Sequence, residues 1–391
     1  MKKSDKKNVG FSNQNRVKSQ KKKVLFVATV DSHIELFHLP YLKYFKDKKY
    51  EVHVATDTDK PIKYCDKKIK ISIARSPFKL KNLKAIKELK QVINTEKYDI
   101  IHCHTPMGGV VARLAARKAR KNGTRVIYTA HGFHFYKGAP LKNWLLFYPV
   151  EKYLAKYTDT LITINDEDYN RAKKKFSCNR VYKIHGIGVD ENKFKGKLTK
   201  TQKKTLRKKL GLNENDFVIT YVAELIHRKN QAMAIEYMRL LKCRGVGYIK
   251  LLLIGKDSYD GKYQKLVDKL DLNNEVKFLG FRKDVGKIMQ ISDLEIGTSR
   301  QEGLGLHLAE AMLLNIPVIA TVDRGHKELI KNNYNGFLVK QNDGRELAAD
   351  IAILINNDKL GKKIAANGKK TVKKFLLSNV IKEMVEIYEN K

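Results

Sequence analysis

The chain of 391 residues carries 79 Lys and Arg against 41 Asp and Glu, which gives a formal net charge of +38. A hydrophobic content of 42% with only 7 Pro and 24 Gly excludes a wholly disordered, collagen-like or low-complexity protein, and the length predicts two or three domains. The 4 Cys lie far apart and form no CxxC pair, which excludes a disulfide-stapled secreted fold and fits a reducing cytoplasm.

The chain begins with a basic segment, residues 1–22, which we interpret as a solvated arm because no apolar stretch follows it as in a secretory signal. Short apolar runs of strand length then alternate with stretches of helical periodicity. The predicted strands are 23–30, 50–56, 68–73, 99–105, 125–131, 160–165 and 181–186, and helices are predicted over 83–93 and 108–121. Unbroken apolar strands separated by helices indicate a parallel sheet that is covered on both faces.

Residues 186–204 lack a hydrophobic period and mark a domain boundary. Further strands are predicted at 217–224, 249–255, 275–280, 294–299 and 317–321, with helices from about 230, ending near 314, and from 345 onwards. The sequence thus predicts an α/β protein of two Rossmann-like, doubly wound domains, 23–188 and 205–370, joined by a linker over 189–204. A C-terminal helix over 371–391 could pack back on the first domain. Such folds bind ligands at the carboxyl ends of their strands, so we expect the site in the cleft between the domains.

The most informative segment is 299–321, which runs from a glycine-interrupted turn into a helix. Gly303 and Gly305 would let backbone N–H groups approach a phosphate at a helix start. Glu302 and Glu310 would lie about 12 Å apart along a continuous helix, which exceeds the roughly 5 to 9.5 Å of a glycosidase carboxylate pair and suits two contacts on one elongated ligand. The alternative interpretation is that both carboxylates only cover a solvated helix face.

Five further segments accompany this Glu-X7-Glu pattern, namely 99–109, 129–138, 158–169, 222–231 and 323–330. Together with the motif they make the chain resemble the family 4 retaining glycosyltransferases of GT-B fold, from about residue 24 to the end. Among these enzymes it most resembles the bacterial capsular and exopolysaccharide branch, in which the acceptor is typically a lipid-linked sugar.

The resemblance implies a donor site in the second domain. Glu310 is expected to accept hydrogen bonds from the ribose hydroxyls, and Glu302 to lie by the donor sugar and its diphosphate. Phe281 and Arg282 match the turn that contacts the nucleobase. The backbone that holds the diphosphate and sugar is expected to be that of Gly303, Leu304, Gly305 and Leu306.

Two positions depart from the family pattern. Lys229 matches the lysine of a basic pair that grips the diphosphate, but Glu224 stands where the arginine is usual, and Arg228 could supply the second cation instead. After the first strand, where many family members have a Gly-Gly turn, this chain has the sequence 32–34, Ser-His-Ile, which we expect to form that turn.

Histidines at strand ends are the remaining candidates. His131 matches the family histidine that faces the donor sugar, although a lone histidine at a strand end is often only structural. His134 and His104 are assigned to the acceptor side, with strand-end packing as the alternative for His104. His102 and His104 share one strand face, but two imidazoles without a third ligand are weak evidence for a metal. We therefore predict no metal site and no cofactor, and we expect His131, Glu302 and Lys229 to be catalytic.

The main expectation is transfer of a sugar, most simply from a UDP-sugar, to a lipid-linked saccharide acceptor, with the enzyme in the cytoplasm at the inner face of the membrane. Segment 142–157 could be an interfacial element or a core helix with one wet side, and an anionic membrane would suit the lysine-rich exterior. The alternatives are a GT-B sugar-nucleotide epimerase and a basic nucleic-acid-binding protein, although no specific nucleic-acid partner is expected. A nicotinamide oxidoreductase is excluded because no GxGxxG follows the first strand.

Overall fold

The computed structural model describes residues 21–243, 245 and 248–390, so residues 1–20 of the predicted arm lie outside the described residues. The first domain is built on seven parallel strands in the order β3-β2-β1-β4-β5-β6-β7. These are β1 (Lys23–Val27), β2 (Glu51–Thr56), β3 (Lys67–Lys70), β4 (Ile100–His104), β5 (Arg125–Ala130), β6 (Thr160–Thr163) and β7 (Arg180–Lys183). The strand order reverses between β1 and β4, which opens the crevice where such sheets bind ligands.

Seven helices connect and cover these strands. They are α1 (Asp31–Phe37), α2 (Leu39–Asp47), α3 (Lys81–Glu96), α4 (Pro106–Ala115), α5 (Arg117–Lys121), α6 (Leu141–Ala155) and α7 (Asp166–Lys175). The central strands are buried on both faces, as the continuous apolar runs predict. Helix α1 begins directly at Asp31, so the predicted turn at 32–34 is wrong: these residues lie in the first turn of a helix.

The second domain repeats the plan with six parallel strands in the order β10-β9-β8-β11-β12-β13. The strands are β8 (Phe217–Val222), β9 (Ile249–Ile254), β10 (Val276–Gly280), β11 (Leu294–Gly297), β12 (Val318–Thr321) and β13 (Phe337–Val339). The helices are α8 (Lys200–Lys209), α9 (Gln231–Cys243), α10 (Lys262–Lys269), α11 (Val285–Met289), α12 (Leu306–Leu313), α13 (His326–Leu329), α14 (Gly344–Asn356), α15 (Asp358–Thr371) and α16 (Leu377–Glu389).

The predicted linker 189–204 is shorter in the structure. Thr199 and Gln202 form a capping box, in which each side chain bonds the other's backbone N–H, and this fixes the start of α8 at Lys200. The chain crosses between the domains twice, and the two crossings lie side by side. The Val189 N–H donates to the Phe375 carbonyl, and the Leu377 N–H donates to the Val189 carbonyl, both at 2.8 Å.

Helix α16 packs on the first domain. Its buried face, which includes Val380 and Met384, joins the core around β1 and β2. The Tyr388 hydroxyl lies 2.7 Å from His102 Nδ1, and the Tyr388 carbonyl accepts a hydrogen bond from Arg125. The C-terminal helix therefore ties the end of the chain to the first sheet. Among the described residues, none of the helices is both long enough and apolar enough to cross a membrane.

Candidate functional site

The loop between β11 and α12 reaches across the cleft to the first domain. A Cβ atom at Gly303 would lie 2.4 Å from the His131 carbonyl oxygen, so a side chain would block this approach. Gly305 has a φ of +91°, a conformation that glycine adopts without strain, and it directly precedes α12. The loop therefore places backbone N–H groups and a helix start at the carboxyl ends of both sheets, which favours binding of an anion.

A buried ion pair joins the two domains beside this loop. Arg324, which precedes α13, donates to Asp168 on α7 and to the Phe133 carbonyl. Asp168 also accepts hydrogen bonds from the Phe133 N–H at 3.0 Å and from Asn165 Nδ2 at 2.9 Å. Burial raises the pKa of Asp168, while the guanidinium of Arg324 opposes this effect. The pair fixes the spacing of the loops that face each other across the cleft.

Glu302 lies at the centre of the loop and is held by two cations. Its Oε1 accepts hydrogen bonds from Lys229 and, at 2.6 Å, from the Ser299 hydroxyl. Arg228 Nη1 lies 3.6 Å from Oε2. Although burial opposes ionisation, the charges of Lys229 and Arg228 hold the pKa of Glu302 well below its usual range. Glu302 is therefore an anion that orients Lys229 towards the loop.

The turn before α9 supplies both cations. Lys229 closes a 3₁₀ turn over His227–Lys229, and its carbonyl accepts a 2.6 Å hydrogen bond from the Tyr221 hydroxyl. Arg228 donates to the Gln301 carbonyl at 2.8 Å. Glu224 is exposed to solvent and takes no part in this contact. The pair Arg228 and Lys229 thus provides two positive charges next to the loop even though the usual arginine is absent.

Glu310 lies on α12, beyond the loop. The helix begins at Leu306 and residues 301–305 form the turn, so Glu302 lies in the turn and Glu310 on the helix, and the spacing estimated for a continuous helix does not apply. Burial raises the pKa of Glu310 to about 7, and Lys193 lowers it by a smaller amount. Within the described part of the chain no side chain donates a hydrogen bond to this carboxylate, which leaves its oxygens available to a ligand.

The predicted base-reading turn follows β10. Phe281 is 74% exposed, so one face of its ring is available for stacking. Arg282 forms a two-point contact with Asp284 at 2.8 and 2.7 Å, and its guanidinium is therefore already paired. A second contact supports the loop between β11 and α12. His307 Nδ1 lies 2.6 Å from Glu295 Oε1, and this buried contact joins α12 to β11.

A cavity of about 660 Å³ opens in the first domain at the end of β5. Its walls are mostly apolar and include residues of α1, α4 and α6 as well as His134, whose ring centre is 4.7 Å from that of Phe147. At its base Glu151 binds the buried Arg113 at 2.8 Å. The cavity can take an apolar or weakly polar molecule.

His131 directly precedes Gly132, which lines this cavity, and its carbonyl oxygen faces Gly303 in the loop between β11 and α12. Its Nε2 is 3.2 Å from His33 Nε2. His104 is fully buried beside His38, with ring centres 3.7 Å apart, and it does not line the cavity. His104 therefore has no surface with which to touch an acceptor, in contrast to the expectation from sequence.

Sequence reasoning missed several residues of the site. Asp168 and Arg324 lie inside segments 158–169 and 323–330, which carried the family resemblance, but no spacing links residues so far apart in the chain. Glu295 occupies a strand that is otherwise apolar, and a charged residue in such a strand is a signal of a buried partner.

Comparison with known proteins agrees with this geometry. Residues 23–165 match the family described as "Glycosyl transferase 4-like", and residues 202–371 match "Glycosyl transferases group 1". The chain is 47% identical over 368 residues to EpsD of Bacillus subtilis (strain 168), a glycosyltransferase by name, covering 94% of this chain and 96% of that protein. It is 31% identical, over 70% of each chain, to the UDP-Gal:alpha-D-GlcNAc-diphosphoundecaprenol alpha-1,3-galactosyltransferase of Escherichia coli.

Solved structures show the same fold. The Anabaena protein HepE, solved in complex with UDP and glucose, superposes with a TM-score of 0.79 at 24% identity, over 95% of this chain and 100% of that one. WaaG, a glycosyltransferase involved in lipopolysaccharide biosynthesis, superposes with a TM-score of 0.74 at 15% identity, over 94% and 100%. With the two-sheet architecture and the sequence likeness over nearly its whole length, the chain belongs to the GT-B glycosyltransferases, with a glycosyl transferase 4-like first domain and a group 1 second domain.

Proposed function

We propose that this glycosyltransferase moves a hexosyl or N-acetylhexosaminyl group, with retention of configuration, from a UDP-sugar to a lipid-linked saccharide in cell-surface polysaccharide synthesis. The observation that carries the proposal is that Gly132 lines the apolar cavity and also lies against Gly303, 3.5 Å from a Cβ atom built at Gly132, in the loop between β11 and α12, which we call the donor loop and which also contains Glu302, the partner of Lys229. Because the chain belongs to a glycosyltransferase family, its net charge of +38 does not require a role in binding nucleic acid.

On the donor side, the loop N–H groups, Lys229 and Arg228 would bind the diphosphate, Glu310 the ribose and Phe281 the base. As the bond between sugar and phosphate breaks, negative charge grows on the diphosphate, and fixed cations stabilise that charge. The leaving phosphate would take the proton of the acceptor hydroxyl as it attacks the same face. Glu302 is already bound by its cations, so it acts by positioning Lys229 and not as a covalent nucleophile.

On the acceptor side, the cavity is surrounded by apolar side chains that face solvent. Helix α6 exposes Leu145 (68%) and Leu146, and the segment before α3 exposes Phe78 and Leu80 (81%). Exposed lysines flank both segments at positions 81, 84, 142 and 152. Apolar side chains ringed by lysines are typical of a surface that lies on an anionic membrane, where a lipid-linked acceptor is found. The E. coli relative acts, by its name, on a diphosphoundecaprenol-linked sugar.

The test of the activity is a panel of UDP-sugars incubated with lipid-linked saccharides, followed by mass spectrometry and assignment of the new anomeric centre by NMR. We expect one donor to give an extended acceptor with the configuration of the donor. Release of a free epimerised sugar nucleotide would instead identify an epimerase, and an inverted linkage would refute the retaining mechanism.

Membrane docking is tested by flotation of the full chain with vesicles that contain or lack anionic phosphatidylglycerol. The double variant Leu145→Asp, Leu146→Asp is expected to lose most of the binding to anionic vesicles. The matched control is Leu240→Asp, which changes an exposed leucine of α9 in the second domain. Equal flotation of wild type and the double variant would exclude this surface.

A further inference from the structure

Four histidines from separate elements of the first domain converge on one point. His33 lies on α1, His38 at the junction of α1 and α2, His104 at the end of β4, and His131 just after β5. One ring nitrogen from each lies within 4.8 Å of the corresponding nitrogens of the other three. The sequence alone does not reveal this group, because His104 and His131 are distant in the chain from each other and from the nearby pair His33 and His38.

Two of the four lack hydrogen-bond partners. His38 is 2% exposed and His104 is 0% exposed, and within the described residues both ring nitrogens of each are unpaired. A buried imidazole without partners is costly, because it loses its hydrogen bonds to water. Other buried histidines have at least one partner. His102 is bonded to Tyr388 and Thr129, and His53 to Tyr98 and Glu51, whereas His307 and His326 are each bonded through Nδ1 and leave only Nε2 unpaired.

The four nitrogens lie close enough together, within 4.8 Å of one another, to surround a single ion. A Zn²⁺ ion bound at 2.0 to 2.1 Å by each nitrogen requires ligand atoms about 3.4 Å apart. The Nε2 atoms of His33 and His131 are 3.2 Å apart, close to that edge length.

We propose that His33, His38, His104 and His131 form a closed four-nitrogen site for a divalent transition-metal ion, with Zn²⁺ as the occupant. Imidazole ligands select zinc, copper or nickel over magnesium and calcium, and four protein ligands without an open position are typical of a structural site. The ion would tie the start of α1 to the ends of β4 and β5, where other members of the family have a glycine turn. It would also hold His131 beside the donor loop through a ring nitrogen. In this proposal His131 is therefore a metal ligand that positions the loop, in place of the catalytic role expected from sequence, and the site is separate from the cations that face the diphosphate.

The experiment uses the full chain without a polyhistidine tag, stripped with a chelator and dialysed. Addition of Co²⁺, a spectroscopic substitute for Zn²⁺, is expected to give the intense visible bands of a tetrahedral complex at one equivalent. Subsequent Zn²⁺ should bleach these bands, and elemental analysis should find one zinc per chain. Zinc should also raise the melting temperature, which is a readout independent of catalysis.

The variants His33→Gln and His131→Gln change the two half-buried members, which are the safest to replace without unfolding the protein. Both are expected to lose the cobalt bands and the stoichiometric zinc while retaining the far-ultraviolet circular dichroism of the wild type. The control His185→Gln changes a histidine that pairs with Glu383 outside the cluster, and it should bind metal as the wild type does. Absence of stoichiometric binding in the wild type, or undiminished binding in both cluster variants, overturns the proposal; the four rings would then only pack against one another.

Discussion

Replacement of Glu310 by Gln is expected to stabilise the protein and weaken donor binding at the same time. Glu310 lies half-buried on α12, and burial raises its pKa to about 7 from the ordinary value of 4.5. Gln has nearly the same shape but no charge to bury. The change therefore removes the electrostatic cost of the carboxylate and leaves the packing of the helix intact.

The size of the effect follows from the two pKa values. Below pH 4.5 the carboxyl is protonated in the folded and unfolded chains, so it costs nothing. As pH rises from 4.5 to 7, the unfolded chain ionises first and the folded state loses stability, and above about 7 the loss is complete. The pKa difference corresponds to at most about 3.5 kcal/mol, at about 1.4 kcal/mol per unit. Gln should thus stabilise by up to about 3.5 kcal/mol at pH 8.5 and by less than about 1 kcal/mol at pH 5.

The measurement is urea unfolding of wild type and Glu310→Gln at both pH values, paired with calorimetric titration of UDP at pH 8.5. A hydrogen bond to a charged group is worth about 1.5 to 3 kcal/mol, so the affinity for UDP should fall on the order of 10- to 100-fold. Glu236→Gln, at an exposed position of α9, is the matched control and should change neither quantity. A stability gain that does not depend on pH, or an unchanged affinity for UDP, would refute the reasoning.

Three further changes test the remaining parts of the site. Arg324→Met leaves Asp168 buried without its cation and should lower the free energy of unfolding in urea by about 3 to 5 kcal/mol. The control Lys362→Met breaks an exposed pair and should lower it by under about 0.5 kcal/mol. Equal losses would show that the pair of Arg324 and Asp168 does not hold the two domains together. Lys229→Met should lower kcat by roughly 100-fold or more with the donor found in the panel, and a change in KM alone would show that Lys229 only binds. Phe281→Ala should weaken UDP binding by about 1 to 3 kcal/mol without a change in kcat, and unaltered binding would exclude stacking.

The architecture could be predicted from sequence because strands and helices follow from the spacing of apolar residues within short segments. Continuous apolar runs predicted the seven strands of the first sheet and five strands of the second, and the structural comparisons confirm the GT-B fold. The strand that was not predicted, β13, has only three residues, too few to show a pattern. Errors occurred where a few residues decide the outcome. The capping box at Thr199 starts α8 earlier than the unpatterned linker suggested, and residues 32–34 enter a helix although the family pattern indicated a turn. The side-by-side crossings at Val189 and Leu377 join distant residues, which no local pattern reveals.

In the candidate site, too, features within one short segment could be predicted and contacts between distant residues could not. The donor loop and its Glu residues could be located because glycines, carboxylates and a following helix stand next to one another in the chain. The partners of these groups could not be assigned: Lys229 and Glu302 are 73 residues apart, and Asp168 and Arg324 are 156 apart. Contacts over such distances depend on how two sheets are docked, so the sequence predicts the chemical groups but not their pairing.

The interaction of Glu302 with Lys229 and Arg228 also bears on why an acidic residue lies in a site for an anion. Before the donor binds, Glu302 offsets part of the local positive charge and draws Lys229 into the loop. In the proposed reaction the diphosphate gains one negative charge as the bond to the sugar breaks, before it takes up the proton of the acceptor, so a fixed cation stabilises the breaking bond more than the bound substrate. Because Lys229 is already oriented, it needs no rearrangement when the bond breaks. The same two cations keep Glu302 ionised, so its carboxylate has no proton to donate and its contribution is to the placement of charge.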